Sequence, residues 1–80
     1  MTSLQDIREM FPIVRLSSYI LVEELDRFSK SLSATDRTIF FENYLETLNK
    51  KYIWARAKGF NDLMIKYTEA SAMLRYLLEE

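Results

Sequence analysis

The chain has 80 residues, 49% of them hydrophobic and 29% charged, with a net charge of −1. That composition excludes an intrinsically disordered chain and suits one compact domain spanning residues 1–80. It contains no histidine and no cysteine, so disulfides, a thiol nucleophile, an imidazole base and the usual zinc ligands are all ruled out. No cofactor is expected. With one glycine and one proline, the chain has little material for turns and should be nearly all helix.

The first element is a short helix. Thr2 and Gln5 stand at capping-box spacing, and Leu4, Ile7, Met10 and Phe11 follow at helical intervals. Pro12 ends this helix, because the residue before proline is pushed out of the α region. The same proline suits the first position of a second helix. That helix is expected from Pro12 to about Leu32, with Val14, Ser18, Leu21, Leu25, Phe28 and Leu32 as its inward stripe. Ile13, Leu16 and Ile20 widen the stripe, while Tyr19 and Val22 point away from it.

Ser29 to Asp36 reads as a connection, with Ser33 or Thr35 as the next N-cap. A third helix follows from about Ala34 to Lys58, presenting Phe41, Tyr44, Leu45, Leu48, Tyr52 and Ala55 on one face. Lys50, Lys51, Arg56 and Lys58 crowd its C-terminal end, where cations complement the helix dipole. Gly59 occupies the position of a left-handed cap. Asn61 or Asp62 then caps a last helix to about Leu78, with Leu63, Tyr67, Ala70, Leu74 and Leu77 as its stripe. Short connections between three long helices predict an all-α fold. Its expected form is an antiparallel three-helix bundle with a short N-terminal helix before Pro12.

The third and fourth helices carry more apolar surface than one packed face requires. Ile39, Phe40, Ile53 and Trp54 lie roughly opposite the Leu48 face, and Ile65, Ala72, Met73 and Tyr76 lie off the Leu63–Leu74 stripe. A singly packed surface helix shows one apolar stripe and one polar face. The leading helix could fold back over one patch but hardly over both. The surplus therefore points to a homodimer, with Ile65, Ala72, Met73 and Tyr76 as its seam, or to docking on a protein partner.

The partner-binding residues expected on this basis are Phe40, Lys50, Ile53, Trp54, Arg56 and Lys58. Residues 37–58 hold five bases and two acids, against four bases and six acids in residues 1–36. The segment Lys50–Lys58 has four cations, two aromatics and no acid, so nucleic acid is the alternative partner. Ala55, Gly59 and Ile65 also match the spacing of a helix-turn-helix, although Lys58 and Thr68 fall where that turn wants apolar residues. Glu24 reads as a carboxylate within the apolar face of the second helix. Glu23–Glu24 and Glu79–Glu80 are pairs in sequence only, since neighbours on a helix diverge by about 100°.

Ser17 and Ser18 have no evident activating base, and one glycine cannot build a phosphate loop. The longest apolar run, Tyr19 to Val22, falls far short of the ~20 residues that span a bilayer. No signal peptide is evident. The expectation is a non-enzymatic, cytoplasmic interaction module that acts as an adaptor, regulator or inhibitor.

Overall fold

The computed structural model describes residues 4–78. These form four helices, α1 (Leu4–Met10), α2 (Leu16–Ser29), α3 (Ala34–Lys58) and α4 (Asn61–Leu78), and no strand occurs among the described residues. Thr2, the first half of the capping box, and the Glu79–Glu80 pair lie outside them.

Both ends of α3 follow from local chemistry. At its start the Ser33 hydroxyl accepts the Asp36 N–H at 3.1 Å, which satisfies one of the orphan donors of the first turn. At its end Gly59 takes a left-handed conformation, φ 76°. The Gly59 N–H donates to the Arg56 carbonyl at 3.2 Å and the Phe60 N–H to the Ala55 carbonyl at 2.9 Å. These two reversed bonds are the Schellman closure. The Phe60 carbonyl then accepts the Met64 N–H at 3.0 Å, so Phe60, rather than Asn61 or Asp62, occupies the N-cap position of α4. Asp62 instead pairs with Arg15 at 2.9 Å.

The central element is α4, which packs most extensively on α3 and then on α2, with α1 laid against α2 and α4. One cluster unites all four helices: Ile7, Val22, Leu25, Phe41, Leu48, Ala70, Met73, Leu74 and Leu77. Each fully buried large side chain there contributes about 1.5–3 kcal/mol. The 25 residues of α3 rise about 37 Å, and the molecule's longest dimension is 37 Å. By contrast, the 14 residues of α2 rise only about 21 Å.

The second helix departs most from expectation. It starts at Leu16, not Pro12, because Pro12 lies in a turn closed by the Val14 N–H on the Phe11 carbonyl at 3.3 Å. It stops at Ser29, not Leu32. Its buried face is also turned: Val22 is fully enclosed, while Ile13 is 92% exposed, and Leu16, Ile20 and Phe28 are exposed as well. Three polar residues, Ser18, Asp26 and Ser29, belong to this face; the expected stripe included Ser18 but not the other two.

Each of those three is satisfied by a hydrogen bond. The Ser18 hydroxyl donates to Glu69 Oε1 at 2.8 Å, and the same oxygen accepts the Arg15 N–H at 3.2 Å. A carboxylate from α4 thus does the capping that Arg15's own side chain does not do. At the other end Arg37 Nη2 lies 2.8 Å from Asp26 Oδ1, and Arg37 Nε donates to the Ser29 hydroxyl at 3.1 Å. Lys30 stands 3.6 Å from the second Asp26 oxygen. Asp26, 5% exposed, is the buried carboxylate of α2, and Glu24 is exposed.

On α4, Met73 is fully buried, and Tyr76 is half-buried with its ring edge-on to Phe11 at 6.0 Å. Neither is a free seam residue. A helix packed against α3 on one side and α2 on the other buries a wider arc than one stripe, and the segment leading from α1 closes over Tyr76.

Three substitutions test this frame by urea denaturation followed by far-UV circular dichroism. Gly59→Ala meets no atom within 4 Å, so it should lower stability only by the left-handed strain, about 1–2 kcal/mol. Arg37→Met, which deprives the buried Asp26 of its nearest donor, should lower it by about 1–3 kcal/mol. Leu48→Ala should lower it by about 2–5 kcal/mol. A wild-type midpoint for Arg37→Met would show that Asp26 does not depend on that bond.

Candidate functional site

The expected partner-binding residues are gathered, with one exception, at the C-terminal end of α3. Ile53 is 57% exposed and Trp54 48% exposed. Trp54 stacks edge-on against Phe60, 46% exposed, with ring centroids 5.4 Å apart. This contact has a local origin, because the residue after a Schellman glycine commonly packs on the last turn of the helix it closes. The cap therefore holds two aromatic rings together at the surface.

Lys50, Lys51, Arg56 and Lys58 are all exposed at this end of α3. Lys50, Lys51 and Lys58 stand three or four residues from Trp54 and share its side of the helix, whereas Arg56, two residues on, projects away from it. The cations engaged in ion pairs among the described residues are Arg15, Arg27, Lys30 and Arg37. None belongs to the α3 end. The local charge is thus positive and uncompensated by contacts, and the carbonyl end of the α3 dipole partly offsets it.

Phe40 is the exception. It is half-buried in an aromatic cluster, 5.1 Å from the Phe28 ring, 5.8 Å from Phe41 and 6.2 Å from Tyr44. Along the helix it stands about 21 Å from Trp54, so one spot does not contain both. Of the residues expected at a dimer seam, Ile65 is 40% exposed and Ala72 half-buried. Tyr76, also half-buried, meets Phe11, and Met73 has no exposed surface.

Phe60 was not among the expected site residues. An aromatic residue directly after a cap glycine is the signal that marks it. The Ala55–Gly59 spacing of the helix-turn-helix resemblance also has a local account, since Ala55 is fully buried and its carbonyl accepts the cap bond from Phe60.

Between α3 and α4, Asn49, Tyr52, Tyr67, Thr68, Ser71, Ala72 and Arg75 line a groove of about 210 Å³. It offers hydroxyls, an amide and a guanidinium, and none of its residues is a carboxylate. No cluster of three or more His, Cys, Asp or Glu suited to a metal occurs among the described residues. Of the two serines considered, Ser18 is spent on Glu69 and Ser17 is exposed. No described helix is long and apolar enough to cross a membrane.

If the α3 end is a surface rather than part of the core, Ile53→Ala and Trp54→Ala should each cost less than about 1.5 kcal/mol of stability. Iodide should quench Trp54 readily in the free protein. An emission insensitive to iodide would place the ring in the interior. Comparison of the chain with protein-family models, with curated proteins and with solved structures finds no match.

Proposed function

We propose that this chain is a small, non-enzymatic protein–protein interaction module that docks through the C-terminal end of α3. One observation carries the reading: Trp54 and Phe60 lie exposed and in contact, Ile53 beside Trp54 in the chain is exposed too, and the cations at this end of α3 have no ion-pair partner among the described residues. Tryptophan and arginine dominate the energetics of interfaces. Burying each apolar anchor contributes about 1.5–3 kcal/mol, so three support a specific complex after the cost of association. The module then acts as an adaptor, regulator or inhibitor by covering or bridging a larger protein in the cytoplasm.

The proposal includes the finer architecture. The two-residue junction at Gly59 and Phe60 supports α3 and α4 as antiparallel neighbours, and α2 completes an up-down-up arrangement. It also includes a homodimer, seated on the outer side of α4 at Ile65 and Ala72. The same cations beside Trp54 support a second reading, a nucleic-acid-binding regulator. Protein docking is favoured because the two rings pack against each other instead of standing open for bases.

The test is capture from an extract of the native cell by immobilised wild-type protein and by Trp54→Ala, each with and without nuclease. One protein should be retained by the wild type, lost with Trp54→Ala and indifferent to nuclease. Equal retention by both would refute docking at this end, and loss on nuclease treatment would transfer the function to nucleic acid. Light scattering should give twice the chain mass for the wild type and the single mass for Ile65→Asp. A wild-type protein of single mass would remove the dimer.

A further inference from the structure

A single helix of this chain carries two rows of side chains at alternating four- and three-residue steps. On α3 the first row is Phe41, Leu45, Leu48, Tyr52 and Ala55, all buried or half-buried. The second is Phe40, Tyr44, Thr47, Lys51, Trp54 and Lys58, about 100° round the helix. The four-three alternation is the spacing by which one helix seats another.

The second row has a partner only at its start. Phe40 and Tyr44 are half-buried, and Phe40 meets Phe28 of α2. The hydrogen bonds between the two helices, from Arg37 to Asp26 and Ser29, lie at that same end. Elsewhere the α2 and α3 backbones scarcely approach each other. Further along the row Thr47, Lys51, Trp54 and Lys58 are exposed. The row therefore begins as a packing surface and continues without its partner.

Resting on the docking function above, we infer that the uncovered half of this row seats one amphipathic helix of an acidic protein partner. Apolar residues of that helix lie on Trp54 and Phe60, and its carboxylates meet Lys51, Lys58 and Lys50. The row's spacing selects a helix over an extended peptide. Charge selects the partner's sign, because none of these lysines is paired among the described residues. The exposed side of α2 is a poorer occupant in a second copy, since Glu23 there is already paired with Arg27 at 3.6 Å and only Glu24 is left to meet the lysines.

The full chain contains one tryptophan, so its emission reports directly on the seat. The probe is a synthetic three-heptad peptide with Leu at the a and d positions, Glu at e and g, and Ala or Gln elsewhere. Controls are the same peptide with Lys for Glu, a scrambled peptide of identical composition, and a single-stranded DNA oligonucleotide. The Leu/Glu helix should shift Trp54 emission to the blue and saturate. Binding should be at least tenfold weaker for each control peptide and for the Lys51→Glu, Lys58→Glu double variant, whose helicity is checked by circular dichroism. Ile65→Asp should bind as the wild type does.

No shift with the Leu/Glu peptide, or equal binding by either control peptide, would overturn the inference. So would tighter binding of the oligonucleotide, or a wild-type dimer whose Trp54 becomes accessible to iodide only on dilution. Capture of a Trp54-dependent partner from the extract, without binding of the peptide, would remove the acidic helix and leave the docking function standing.

Discussion

Two carboxylates fix the ends of α2, on either side of the Val22 and Leu25 contacts that tie its middle to the core. Asp26, buried in α2, is held by Arg37 of α3, and Glu69 of α4 holds the other end of α2 through Ser18 and the Arg15 N–H. A buried charge left without partners is strongly unfavourable, so the rotation of α2 is the one that satisfies both ends at once. Leu16, Ile20 and Phe28 consequently face outward, although hydrophobicity alone favours turning them in. The short reach of α2, set by the Pro12 turn and the bonds at Ser29, then leaves the far half of α3 without a neighbour on that side.

What could be read in the sequence follows the same division. The bounds of α3 and the cap at Gly59 were legible because they rest on local rules, a serine N-cap and a glycine with positive φ. The α4 stripe was legible through regular apolar spacing, and Ala70, Leu74 and Leu77 are buried. The face of α2 was legible only in part: Ser18 and Leu25 stood on the expected stripe and are buried, but periodicity counts Asp26 and Ser29 as surface residues unless their distant partner Arg37 is known. The depth at which Met73 and Tyr76 lie was not legible for a different reason. How wide an arc α4 buries depends on how many helices surround it, and that is a tertiary fact.

At the candidate site, composition revealed the cations and Trp54 but not the ring that organises them. Phe60 enters only through the backbone geometry of the cap. The surplus of apolar surface divides accordingly. On α4 much of it is absorbed by α1 and α2, and at the end of α3 it stays exposed beside positive charge.

The junction at Gly59 and Phe60 bears on how the proposed partner would meet those surfaces. Phe60 ends one helix and begins the next, so α3 and α4 share a two-residue joint with its hydrogen bonds already made. The joint has no slack. Folding itself fixes the relative placement of Trp54, Phe60 and the flanking lysines, and little backbone ordering is left to oppose association. Under the docking proposed for this surface, recognition would draw on a shape already present, and a longer, glycine-rich joint would weaken it without removing a single contact residue.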